Sequence, residues 1–162
     1  NTSAWWLTQN KTYGNKIKLM NVDQINNLYI NGNELGCHAL SHQNLSNVSH
    51  DVLEQELNMS KIILDSTFSI DCKSIAMPFG FSGGIDAENH SKDVCRIAGY
   101  KYMFLGNFGY ITSANYNNLD LPRVPIYGSD NIEDFISKVS GKYNFISKLY
   151  KIRKKIRYLF RI

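Results

Sequence analysis

The chain has 162 residues, 43% of them hydrophobic and 20% charged, with a formal net charge of +4. That length suits one domain with a buried core, and the composition excludes a disordered chain. No run approaches the roughly 18 apolar residues of a transmembrane helix, and no charged-then-apolar secretory pattern opens the sequence.

Asn1 to Gly14 carries Trp5-Trp6-Leu7 amid Asn, Thr and Gln and has no helical period. It reads as a loop whose tryptophans either pack or offer a sugar-stacking surface. Asn21 is a competent N-cap, and Val22, Ile25, Leu28 and Tyr29 at helical spacing predict a short amphipathic helix that stops at Asn31-Gly32. Glu34 to His38 is predicted as a strand. Ser46 or Ser49 caps the next helix, in which Leu53, Leu57, Ser60, Leu64 and Phe68 form the inward stripe while Glu54, Lys61 and Asp65 face out.

Ser74 to Met77 reads as a strand stopped by Pro78, and Phe79 to Gly84 as a flexible glycine-rich loop. Neither a P-loop nor a dinucleotide fingerprint is present. Asn89 to Ala98 is expected to be a helix ended by Gly99. Tyr102 to Leu105 is a strand, Leu121 to Ile126 another interrupted by Pro125, and Ile132 to Val139 a short helix before Gly141. Strands alternating with helices predict a parallel α/β sheet with functional loops at the strand C-terminal ends. His42 and Pro78-Phe79 both fall at such ends, on one rim.

The tail differs in charge from the body. Residues 1–141 hold 10 Lys and Arg against all 14 acids, whereas residues 142–162 hold the other 8 basic residues and no acid. From Tyr143 onward Phe145, Leu149, Ile152, Ile156 and Leu159 mark one helical face, with Lys151, Lys154, Lys155, Arg157 and Arg161 largely off it. Such a basic amphipathic helix either docks on its own domain or lies on an anionic membrane, so residues 143–162 are a candidate peripheral membrane contact. No nucleic acid partner is expected, because a charge run without a recognised fold says little. Cys37, Cys72 and Cys95 are too widely spaced to imply a disulfide framework or a thiolate metal site, and small buried residues are the plain reading.

Chemistry concentrates at His38 and His42. Neutral imidazoles are the commonest protein ligands for zinc, and two of them past a strand end can be folded toward one point by a loop. This is not the zincin motif, since Ala39 and Leu40 follow the first His where that motif carries its Glu. From spacing alone such a pair is more often structural or on the surface than metal-binding. Gly36 permits close backbone approach before the pair, and Asn44 and Ser46 favour turns after it.

The run Gly32-Asn33-Glu34-Leu35-Gly36-Cys37-His38-Ala39-Leu40-Ser41-His42-Gln43-Asn44-Leu45 is followed by a long helix and then Ile75-Ala76-Met77-Pro78-Phe79-Gly80. This order resembles the polysaccharide deacetylase family, the NodB-homology or carbohydrate esterase family 4 group, from about Leu19 to Ile126. Ala98-Gly99-Tyr100-Lys101-Tyr102 and Leu121-Pro122-Arg123-Val124 are weak alone but fall in family order. The resemblance implies an α/β fold, an incomplete irregular (β/α) barrel over residues 1–141, with residues 142–162 as a basic C-terminal helix. It also implies a metal-dependent hydrolase that removes acetyl groups from N- or O-acetylated sugars of a surface polysaccharide. The alternative is a non-catalytic carbohydrate-binding or degenerate homologue.

In that family a divalent metal, zinc by preference, is held by two His and one Asp. A second Asp serves as base, a His elsewhere as acid, and backbone N–H groups steady the oxyanion. By resemblance His38 and His42 match the metal ligands, and Phe79 matches the aromatic position whose backbone N–H contributes to the oxyanion site, where the family commonly carries Tyr. Ala39 departs from the usual Ser or Thr, and Ser41 is the residue placed to support the loop instead. Before His38 the only acids are Asp23 and Glu34, neither suitably placed, so the sequence is expected to begin after the Asp-Asp motif and to lack the third carboxylate ligand. No Leu-x-His motif follows. His50 and His90 read as structural, Asp86 approaches the site only by position, and Arg123 reads as one end of a structural salt link.

Overall fold

The computed structural model describes residues 19–80, 84–116, 119–146, 148–149, 152–153 and 156. Trp5, Trp6 and much of the predicted tail helix, including Lys151, Lys154, Lys155, Arg157, Leu159 and Arg161, lie outside the described residues. Residues 1–35 and 36–162 form two compact units.

In the first unit α1 (Val22–Ile30) starts where Asn21 predicts it. The Asn21 Oδ1 accepts from Gln24 N and the Gln24 Oε1 accepts from Asn21 N, both at 2.9 Å. This reciprocal pair satisfies two backbone donors that a helix N-terminus otherwise leaves without partners. The helix ends at Asn31, as its sequence predicts.

The second unit opens with α2 (His50–Phe68), capped by Ser49, whose hydroxyl accepts from Val52 N at 3.4 Å. Leu53 and Leu57 are buried as the stripe requires, but Glu56 and Lys61 are buried beside them. The expectation that Lys61 faces out is therefore corrected. Its ammonium donates to Asp65 at 2.8 Å, Asp71 at 3.0 Å and the Cys72 carbonyl at 2.6 Å, tying the end of α2 to the segment that enters the sheet. Three acceptors offset the cost of removing the charge from water.

The sheet has three parallel strands in the order β1 (Ser74–Ala76), β2 (Tyr102–Phe108), β3 (Leu121–Arg123). Ile75 lies opposite Met103, and Phe104 opposite Leu121. The crossover from β1 to β2 is α3 (Gly84–Ala98), which begins five residues before the predicted Asn89 and stops before Gly99 as expected. Met103 and Leu105 are fully buried on one face of β2, as is Ile75 on β1. Each is worth about 1.5–3 kcal/mol of apolar burial. Tyr100 joins them from the α3 to β2 turn, its hydroxyl donating to the Leu57 carbonyl at 3.1 Å.

The strand predicted over Glu34 to His38 is reduced to a single parallel bridge, Cys37 with Ile75. Cys37 N donates to Ser74 O and Ala76 N to Cys37 O, both at 2.9 Å. Pairing stops because Ala39, at φ 61°, turns the chain away into the loop that holds the histidines. Gly36 allows the approach, since a Cβ there would stand 2.9 Å from the Ser74 hydroxyl. The strand predicted to reach Ile126 ends at Arg123.

After the sheet, α4 (Ile132–Val139) has the predicted limits and a reciprocal Asn131 and Asp134 cap. Ile132, Phe135, Ile136 and Val139 lie exposed on it, as do Phe145, Leu149, Ile152 and Ile156 in the tail. Among the described residues no helix is long and apolar enough to cross a membrane. All three cysteines are buried thiols outside any disulfide.

Candidate functional site

His38 leaves the bridge at the C-terminal end of β1, and its ring is fixed by the backbone of that strand. Nδ1 lies 2.6 Å from the Ala76 carbonyl. A carbonyl only accepts, so Nδ1 carries the hydrogen and the neutral ring presents its lone pair at Nε2, the arrangement in which histidine binds metals. His42 stands edge-on to it, with ring centroids 4.7 Å apart, and Phe79 stands edge-on to His42 at 5.1 Å. The three residues singled out in the sequence thus share one rim.

The loop between the histidines is organised by a residue the sequence reading passed over. Glu56 reaches from α2 and its Oε2 accepts from Leu40 N at 2.9 Å and Ser41 N at 2.8 Å. Its Oε1 accepts from the Ser41 hydroxyl at 2.6 Å and the Gln43 side chain at 2.8 Å. Burial alone would raise the carboxyl, but these bonds outweigh it and hold Glu56 below the ordinary carboxylate range. Ser41 bonds the loop through Glu56. The signal for Glu56 was its place three residues after Leu53 and beside Leu57, on the buried stripe of α2.

Ala39, His42 and Phe79 all adopt left-handed backbone, at φ 61°, 58° and 55°. Such conformations cost about 1–3 kcal/mol each at non-glycine residues and persist only where surrounding contacts enforce them. Glu56 supplies those contacts in the histidine loop. At Phe79 the turn is seated on β2, because Gly80 and Gly106 pack so closely that a Cβ on either would fall 2.7 Å from the other's Cα. Among the described residues Arg123 forms no salt link, which corrects the expectation; its Nε donates to the Leu105 carbonyl at 2.9 Å.

The remaining candidates lie apart from this rim. His50 and His90 stack at 4.0 Å between α2 and α3, with His90 Nε2 3.4 Å from Glu54. Asp86 is exposed in the first turn of α3. A cavity of about 560 Å³ lined by Lys92, Arg96, Lys101 and Tyr102 opens at the N-terminal end of β2 and contains none of the histidines. Lys92, Arg96 and Lys101 outnumber the one carboxylate of that cavity, Asp120, so its lining disfavours a metal cation. No group of three His, Cys, Asp or Glu suited to a metal occurs among the described residues.

A family model described as polysaccharide deacetylase matches residues 3–103. The chain belongs to the polysaccharide deacetylase family. Three solved structures share its fold. Streptococcus pyogenes deacetylase PplD, in complex with acetate, is 22% identical with a TM-score of 0.65, and the match covers 76% of this chain and 52% of that one. A polysaccharide deacetylase from Bacillus cereus is 21% identical with a TM-score of 0.63, covering 77% and 38%. A de-N-acetylase from Aggregatibacter actinomycetemcomitans is 14% identical with a TM-score of 0.58, covering 75% and 55%. No match was found among curated proteins. The chain spans about half or less of the length of these structures, and the small parallel sheet with its helices is an incomplete version of the family's barrel.

Proposed function

We propose that the protein is a metal-dependent hydrolase of the polysaccharide deacetylase type, removing acetyl groups from N- or O-acetylated sugars of a surface polysaccharide. His38 and His42 are two ligands of a divalent metal, zinc by donor preference. The observation that carries this reading is the pair of imidazoles on one loop at a strand C-terminal end, one of them with its tautomer fixed by Ala76 O. Two neutral imidazoles fit two of the three protein ligands of a catalytic zinc site. The carboxylate that would complete the set is not beside them among the described residues. When bound, such a metal polarises a carbonyl and acidifies its water.

The chain's own residues have separable tasks. Ala76 O orients His38, Glu56 fixes the loop that spaces the two rings, and Phe79, in a left-handed turn beside His42, is the residue whose backbone N–H would serve a developing oxyanion. We assign residues 1–141 to the deacetylase-like part and residues 142–162, with 8 basic residues and no acid, to a basic appendage suited to an anionic membrane surface. Because no third donor stands beside the pair among the described residues, the second reading is a carbohydrate-binding or degenerate homologue without catalysis.

Zinc competition against a chromophoric chelator should show weak binding that is lost in the His38→Ala, His42→Ala double variant. Equal affinity in the two proteins would remove these residues from any metal site. Acetate release from N-acetylated or O-acetylated oligosaccharides, lost in the same variant, supports the hydrolase, whereas oligosaccharide binding without release selects the second reading.

A further inference from the structure

Two of the three buried thiols face each other. Cys37 and Cys72 are 35 positions apart in sequence, yet their sulfurs are 3.7 Å apart, and the residues are 5% and 2% exposed. Their backbones are held near one another by the bridge that carries His38: Cys37 N bonds to Ser74 O, two residues beyond Cys72, and Cys37 O receives Ala76 N. Lys61 fixes the other side by donating to the Cys72 carbonyl at 2.6 Å. Cys95 is the internal contrast, fully buried with its sulfur 3.8 Å from the Met103 thioether, which forms no disulfide.

We propose that Cys37 and Cys72 are a disulfide-forming pair, whose oxidation by a peroxide ties the residue before His38 to the segment entering β1. The sulfurs need to close from 3.7 Å to the roughly 2.05 Å of a disulfide, a displacement within reach of side-chain rotation while the Cys37 to Ile75 bridge holds the two segments together. In the first step one thiolate attacks a peroxide oxygen, forming an S–O bond, breaking the O–O bond and releasing hydroxide. In the second the other sulfur attacks the resulting sulfenic sulfur, forming the S–S bond and expelling the oxygen as water. Two thiols and one hydrogen peroxide become one disulfide and two waters; each sulfur loses one electron and the peroxide gains both. Peroxide is small enough to reach a pair from which larger oxidants are screened by burial. The inference stands whether or not His38 and His42 hold a metal.

The metal-free full chain is treated with hydrogen peroxide under native conditions, quenched, denatured, alkylated and mapped by mass spectrometry without reduction. Three alkylatable thiols should fall to one, Cys95, with a Cys37 to Cys72 cross-linked peptide that a reductant reverses and a higher melting temperature for the oxidised form. Cys37→Ser should abolish the link and leave Cys72 carrying added oxygen. Should that variant not fold, the wild-type map alone decides. Three thiols remaining, separate sulfinic or sulfonic products on the cysteines, a link through Cys95 or only intermolecular links would each overturn the proposal.

Discussion

Glu56 sets the geometry of the rim without touching what binds there. Both of its oxygens are filled by donors of residues 40–43, so Glu56→Gln must turn an amide N–H₂ toward groups that also donate. The expected loss is about 2 kcal/mol of stability. Its pH dependence has a definite sign. Because the folded carboxyl is held below its ordinary value of 4.5, its contribution is fully present above that value and is lost as pH falls through the folded pKa. Urea midpoints for wild type and Glu56→Gln should therefore differ most above pH 4.5 and converge in acid; a constant gap would show that ionisation is not what holds the loop. Neither Glu56 nor Lys61 was legible, although the helical period was, because charge was assigned to solvent while both stand on the leucine stripe. His38 and His42 were legible as a pair because their spacing is local, and Phe79 joined them because it too follows a strand end, whereas Glu56 reaches the loop from the middle of a helix.

Between elements, the contact that seats Phe79 is backbone against backbone. Gly106 on β2 lies against Gly80, and a methyl group on either cannot be accommodated without shifting a main chain. Gly106→Ala is expected to destabilise by about 1–3 kcal/mol through overpacking. Gly128→Ala, where a Cβ meets nothing within 4 Å, should change stability by less than about 0.5 kcal/mol. Equal urea midpoints for the two variants would discard the close approach. The first helix was legible because the Asn21 cap and the apolar period agreed, and the cap at Asn131 adds reciprocal side-chain bonds to a helix whose limits the sequence predicts. Strand limits were less so. A run of apolar residues such as Leu35-Gly36-Cys37 does not reveal that only Cys37 finds a ladder partner, since that is decided by Ala39 turning the chain. The early start of α3 was hidden because glycine usually signals a loop.

At the scale of the whole molecule, the alternation of strands and helices announced the parallel sheet, while the carboxylate that the proposed metal site would need is not beside the histidines among the described residues. The charge division bears on where the molecule works. Eight basic residues and no acid follow residue 141, and Phe145, Leu149, Ile152 and Ile156 are exposed. Near an anionic bilayer each Lys or Arg is worth about 1 kcal/mol, and apolar side chains entering the interface add to this. The attraction is screened over roughly 10 Å at 0.1 M salt, so a tail that binds this way should be salt-sensitive. Co-sedimentation with phosphatidylserine vesicles should carry down the full chain at low salt, less of it at high salt, and little of a chain lacking residues 143–162, with neutral vesicles retaining neither. If both chains sediment alike, residues 143–162 are not what binds the lipid, and the membrane reading of the tail is discarded.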